Sequence, residues 1–282
     1  MENGIQKTIH SLMNEDTVKK RFQELLGQKA NGFISSVIGA VKNNSMLQNG
    51  EPQSILSAAV VAATLDLPID PNLGFAAIVP YKDKTGKIVA QFQMMYKGFV
   101  QLAQRSGQYK TINACEIYDG EIESFNRITG DIFFNTSNKK SDKIIGYAAY
   151  FRLVNGFEKT LYMSSEDINK HGKRFSQTFK KGFGLWIDDF DSMALKTVLK
   201  RLLSKYGILS IDMQNAVKFD QGIIKEDGEV KYVDHEDLTN QKQVEAPKPR
   251  STYSNEQEIK EDILRGAINK EEGERLILNL GK

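Results

Sequence analysis

Between Leu67 and Ala76 the apolar pattern of this 282-residue chain changes period, and that change limits the folds open to it. Before it, apolar side chains recur at helical spacing: Val18, Phe22, Leu25 and Leu26, then Phe33, Ile34, Val37, Ile38 and Val41. The Ala-rich run Ser54–Leu67 reads as a further helix, ended by Pro68, Asp70 and Pro71. After it the side chains alternate. Ala76–Tyr81 and Ile88–Tyr96 flank Asp83-Lys84-Thr85-Gly86-Lys87 as a hairpin, and Ser124–Asn135 turns at Thr129-Gly130. Ile144–Val154 and Phe157–Met163 flank Asn155-Gly156, the strongest short hairpin signal in the chain. Gly98–Gly107 reads as a short helix and Tyr109–Tyr118 as a strand. Helices followed by hairpins predict an α+β chain.

Ser164-Ser165-Glu166-Asp167 opens a helix with a variant capping box, and a longer helix spans roughly Ile187–Tyr206, closed by Gly207. Ile208–Val217 completes the body. Residues 223–255 are polar and carry Pro247 and Pro249, which predicts a flexible linker. Ser254-Asn255-Glu256-Gln257 then caps a helix through Ile259, Ile263, Leu264 and Ile268, with a second over Glu271–Leu280. The expected divisions are a helical region at 1–67, an α+β core at 68–222, the linker at 223–255 and a small helical tail at 256–282.

Charge is divided along the same lines. Of the 38 Lys and Arg, 10 lie from Ile223 onward, against 14 of the 36 Asp and Glu, so the body carries +6 and the remainder −4. A basic body favours a polyanionic partner. The single cysteine, Cys115, sits in the alternating run Ile112–Tyr118 with no His near it in sequence, and is expected to be a buried structural thiol. The beginning of the chain carries Glu2, Glu15 and Asp16 and no apolar leader, and the longest apolar segment, Ile55–Leu67, is too short for a bilayer, so a cytoplasmic protein without a membrane role is expected.

Enzyme signatures are weak. No G-x-x-x-x-G-K-[ST] phosphate loop is present, and His10, His171 and His235 lack metal spacing. Asp188, Asp189 and Asp191 suit a metal-dependent nuclease, but they open a helix, where carboxylates cap amide groups. No catalytic residue, metal or cofactor is expected.

The basic groups are better organised. From Lys170 to Lys205 there are nine Lys and Arg against three Asp. On the long helix, Lys196, Lys200, Arg201 and Lys205 lie opposite the apolar stripe of Leu195, Val198, Leu199, Leu202, Leu203 and Tyr206. Upstream come Lys170, Lys173, Arg174, Lys180 and Lys181, interleaved with Phe175, Phe179, Phe183 and Trp186. Lys97, Arg105 and Lys110 stand near Tyr96, Phe99 and Tyr109. Cations that track phosphates beside rings that stack bases are what single-stranded nucleic acid requires. The other reading is a solvated lysine face over core aromatics, with Phe99, Trp186 and Phe190 assigned to the core and Phe175, Phe179 and Tyr109 left open. The expected DNA contacts are Lys97, Arg105, Tyr109, Lys110, Lys170, Lys173, Arg174, Phe175, Phe179, Lys180, Lys181, Lys196, Lys200, Arg201 and Lys205.

Three blocks carry a resemblance. They are Met95-Tyr96-Lys97-Gly98 through Arg105-Ser106-Gly107 to Ile117-Tyr118; Gly146–Tyr150 through Asn155-Gly156-Phe157 to Tyr162-Met163-Ser164; and Trp186, Met193-Ala194, Lys196-Thr197-Val198-Leu199, Leu202 and Ser210-Ile211-Asp212. Over roughly residues 50–220 the chain resembles the RecT family of phage and prophage single-strand annealing proteins. The resemblance implies a small antiparallel sheet backed by a helix, similar to the eukaryotic annealing mediators of the Rad group. It implies ATP-independent pairing of complementary DNA strands, rings or filaments of many subunits, and no catalytic residues. It implies single-stranded DNA and annealed duplex as ligands, and a C-terminal region that meets a partner such as a 5′→3′ exonuclease or a host single-strand binding protein. The helices at 1–67 are expected to supply subunit contacts. A passive coating protein and, less favoured, the nuclease are the competing readings.

Overall fold

The computed structural model describes residues 8–70, 72–83, 85–224, 230–232, 255–264 and 274–277. Residues 1–234 form one compact unit and 235–282 a second. The first unit opens with helices α1 (Ile9–Met13), α2 (Asp16–Leu26), α3 (Ala30–Lys42), α4 (Ser45–Gln48) and α5 (Pro52–Thr64). Pro52 at the start of α5 has no amide hydrogen to leave unsatisfied, which suits a first helical turn. Small side chains let α5 be enclosed on nearly every side: Ile55, Ala59, Ala62 and Ala63 are fully buried against α1, α2 and the strands. The buried Ser54 hydroxyl donates to Glu51 O and accepts from the Ala90 amide, both within 2.8 Å, tying helix to sheet.

Strand β1 (Ala76–Lys82) pairs antiparallel with β2 (Ile88–Met94), followed by α6 (Tyr96–Arg105). The strands β3 (Tyr109–Tyr118), β4 (Ile122–Asn126), β5 (Asp131–Phe134), β6 (Ile144–Leu153) and β7 (Glu158–Ser164) come next. Two short helices, α8 (Gln177–Lys180) and α9 (Leu185–Asp188), separate α7 (Ser165–Phe175) from the long α10 (Phe190–Tyr206). The unit closes with α11 (Ile211–Phe219), β8 (Gly222–Ile224) and β9 (Val230–Tyr232).

The α+β class holds, but the single small sheet expected is three antiparallel assemblies: β1-β2-β8-β9, β3-β6-β7 and the ribbon β4-β5. The β6–β7 turn is built as its sequence requires, with Gly156 at φ 90° and the Asn155 side chain accepting from the Phe157 amide at 3.0 Å. On one face of the three-stranded sheet Tyr147, Ala149 and Phe151 pair with Met163, Leu161 and Lys159. Helix α10 covers that face with Ala194, Val198, Leu199, Leu202 and Leu203, all fully buried. This is a sheet backed by a helix, as the family resemblance implies.

Three expectations need correction. The helix expected from Ile187 begins at Phe190, because Asp189 breaks from helical geometry and caps α10, its carboxylate accepting from the Ser192 amide at 3.2 Å. Cys115 is exposed, not buried: it is on the face of β3 opposite α10, registered with Ala148. Strand β9 and all but the first residue of β8 fall inside the stretch expected to be linker; Gln221, at φ 66°, turns the chain so that Gly222 pairs with Phe92 on β2. The rest of the expected linker, residues 225–229 and 233–254 of 223–255, lies outside the described residues. In the second unit α12 (Glu256–Leu264) is capped by the Asn255 side chain, which accepts from the Glu258 amide at 3.0 Å, and the expected helix at 271–280 falls mostly outside the described residues.

Candidate nucleic-acid interface

From Ile168 to Ile187 the chain contains five Lys and Arg and no carboxylate. Helix α7 enters this stretch from a capping box: Ser164 Oγ accepts from the Asp167 amide at 3.1 Å and donates to its carboxylate at 2.8 Å. Lys170 pairs with Glu166 one turn back at 2.6 Å, while Lys173 and Arg174 occupy the last turn, where the helix dipole favours cations. Gly172 permits the next step. A Cβ there would meet the Phe179 ring at 2.9 Å and the Trp186 ring at 3.0 Å, so only glycine lets α8 and α9 lie this close to α7.

The rings beneath form a fixed platform. Phe179 stacks on Trp186 at 5.5 Å between centroids, Trp186 meets Phe190 edge-on at 5.7 Å, and Phe190 lies 6.2 Å from Tyr147. The Tyr147 hydroxyl donates to Asp191 at 2.5 Å; desolvation, with that carboxylate, pushes its pKa well above the ordinary phenol range. Of the three aspartates that suggested a nuclease, Asp189 therefore caps α10 and Asp191 holds Tyr147, and no group of three or more potential metal-binding side chains occurs among the described residues.

The expected DNA contacts divide into three exposed or partly exposed sets and a fourth that is structural. Lys173, Arg174, Lys180 and Lys181 are exposed and brought together by the packing of α7 on α8; Lys170 and Phe175 are on α7 too, with the Phe175 ring 4.6 Å from that of His171. Arg201 and Lys205 are exposed on α10, Arg201 lying 3.8 Å from Met163 Sδ and Lys205 5.0 Å from the Tyr206 ring. Lys97 and Lys110 are exposed on α6 and β3.

The remaining five do structural work. Lys196 does not face solvent: its side chain is 4% exposed and its ammonium meets Asp220 at 3.2 Å. Lys200 binds the other oxygen of that carboxylate at 2.6 Å. Arg105 donates from both terminal nitrogens, at 2.8 Å each, to the carbonyls of Leu65 and Asp66, capping the end of α5. Tyr109 donates to Ile208 O at 3.0 Å and packs edge-on against Phe151. Phe179 belongs to the aromatic platform. Of the rings interleaved with the 170–181 cations, the most exposed is Phe183, at 54%, with Leu185 and Ile187 exposed after it. The signal for it in sequence is the glycine on either side, Gly182 and Gly184, both at positive φ. Lys159 is a further cation that sequence reasoning does not single out; it reaches Thr129 O at 2.7 Å and Asp131 at 3.7 Å, and lies 5.8 Å from the Tyr206 ring that Lys205 also approaches.

Among the described residues no helix is long and apolar enough to cross a membrane. The chain is 51% identical over 210 residues to the uncharacterized protein YqaK of Bacillus subtilis, an alignment covering 74% of this chain and 71% of that protein. It is 27% identical over 218 residues to Protein RecT of Escherichia coli, covering 75% and 79%. The RecT family profile matches residues 31–244, from the third helix to beyond the last strand of the first unit, and the chain belongs to the RecT family.

Proposed function

We propose that this protein is an ATP-independent single-strand annealing protein, which binds single-stranded DNA, pairs complementary strands and assembles on them as an oligomer in homologous recombination. Membership of the family supports strand annealing in recombination as the general activity. The observation in the structure that carries the reading is the stretch 168–187, which contains no Asp or Glu and where exposed Lys173, Arg174, Lys180 and Lys181 lie beside a packed aromatic platform. Cations fixed on packed helices hold phosphates without reading sequence, which leaves base edges available to a second strand. Arg201, Lys205, Lys97 and Lys110 are proposed as further phosphate contacts. The reading makes the protein a non-enzyme that works in the cytoplasm.

Subunit contacts are assigned to the outer side of the N-terminal helices, where Leu25 and Met46 are exposed, and partner contacts with an exonuclease or a host single-strand binding protein to the second unit. The test is to mix complementary oligonucleotides with the protein, with and without magnesium and without ATP. Faster duplex formation supports annealing. Slower formation is the outcome for a passive coating protein, and magnesium-dependent cleavage the outcome for a nuclease.

A further inference from the structure

The loop joining α8 to α9 displays one aromatic ring in an unusual way. Lys181 and Phe183 both donate their amides to Thr178 O at 3.1 Å, and Gly182 donates to Phe179 O at the same distance, so the chain reverses tightly after α8. Gly182 has φ 79° and Gly184 φ 88° with ψ −177°, conformations that residues bearing a Cβ rarely adopt. The next helix then starts at once, with the Ile187 and Asp188 amides returning to Gly184 O at 2.7 and 3.0 Å. Phe183 is thus anchored on both sides by hydrogen-bonded backbone, while its side chain is 54% exposed. Its two chain neighbours have no side chains to screen the ring.

An exposed ring in a solvated loop is ordinarily mobile and costs solubility. Here its backbone is fixed, Lys181 stands one glycine before it, and Leu185 and Ile187 extend the apolar surface. A purely apolar partner would leave the exposed Lys181 ammonium without counter-charge. A partner with an anionic backbone and flat apolar faces satisfies both, which is the chemistry of a single strand of nucleic acid. Building on the annealing reading, we propose that Phe183 is a base-stacking residue. It inserts against a nucleobase of the strand whose phosphates the adjacent cations hold, interrupting the base stack at one point per subunit and fixing the strand's register for pairing.

The experiment compares two fluorescent strands of equal length and charge, oligothymidylate and its abasic analogue, with the full-length protein over a range of salt. Wild-type protein is expected to bind oligothymidylate more tightly. Phe183→Ala should weaken oligothymidylate binding about tenfold while leaving abasic binding and the salt slope unchanged. The double variant Lys180→Ala/Lys181→Ala should weaken both strands and flatten the slope. Phe183→Trp should keep the preference for bases, with added emission that oligothymidylate quenches and the abasic strand does not. Equal binding of both strands by Phe183→Ala and wild type would overturn the stacking role while leaving annealing intact. So would a change in assembly size of DNA-free Phe183→Ala without a change in base preference, which would make Phe183 a subunit contact. Failure of wild-type protein to bind either strand would instead overturn the annealing reading itself.

Discussion

Lys196 and Asp220, 24 residues apart, form an ion pair inside the protein: their side chains are 4% and 0% exposed and 3.2 Å separates Nζ from Oδ1. Asp220 also accepts from Lys200 at 2.6 Å and from the Met94 amide at 2.9 Å. One carboxylate thus fastens α10 to β2 and to the turn that leads into β8. Desolvation opposes its charge, but the two ammonium groups outweigh it and hold the carboxyl below its ordinary pKa. Burial likewise pulls the Lys196 ammonium down, so of the pair it is the carboxylate that the site favours.

Asp220→Ala should destabilise the protein by about 3 kcal/mol or more, since it strands a buried ammonium. Lys196→Met should cost less, because Lys200 and the Met94 amide still hold Asp220. Urea denaturation of the two variants checks the order. Because the folded pKa of Asp220 is depressed, its contribution is present above the unfolded carboxylate value near about 4 and is lost as pH falls through the folded value. Wild type should therefore lose stability on acidification in that range, and Asp220→Asn should show a shallower loss.

Arg105→Ala should lower stability by about 1.5 kcal/mol, because two charge-assisted hydrogen bonds at the end of α5 disappear. DNA affinity and its salt dependence should not change. A flatter salt slope would return Arg105 to the DNA surface.

Lys173→Ala/Arg174→Ala should weaken binding to all single-stranded sequences alike. Every cation–phosphate pair that the substitutions remove should reduce the slope of log K against log salt by about 0.7. Titrations at several salt concentrations measure this, and an unaltered slope would show that the face is merely solvated.

Gly172→Ala tests the aromatic platform. The intrinsic helix gain of Ala over Gly is about 1 kcal/mol, but overpacking against two rings costs about 1–3 kcal/mol. The partly buried Phe179 and the buried Trp186 have little room to withdraw, so a net loss of about 1 kcal/mol is expected. Thermal unfolding followed through Trp186, the one tryptophan, reads it directly.

Truncation after Asp234, between the two units, should preserve annealing of naked oligonucleotides and impair recombination in cells. Truncation after Gln221 should impair both, since it removes β8 and β9 and bares the edge of β2. Electrophoretic annealing assays on the two shortened chains separate these outcomes.

What the sequence made legible was local. Asn155-Gly156 specifies its own turn, and Ser164 and Asp189 cap the helices that follow them, so those boundaries fall within a few residues of expectation. Three-residue strands such as β8 have too few side chains for a period, and they exist only because β2 offers an edge. The cationic side of α10 is deceptive for a similar reason. Helical spacing shows which residues oppose Leu199 and Leu202, but not that Asp220, beyond another helix, closes over Lys196. Phe179, expected among the DNA contacts, is instead packed inward, because the space that accepts it is an absent Cβ, at Gly172, on a different helix.

The link from Met94 to Asp220 spans 126 residues, and it has a temporal consequence. A ribosome adding roughly 5–20 residues per second takes about ten seconds to make that interval. Throughout it β2 exists with one side unpartnered and the aspartate that will receive its Met94 amide not yet made. Closing so distant a pairing is also entropically slow. The first half of the nascent chain must therefore remain unaggregated, with an open strand edge, until the second half arrives to complete the sheet.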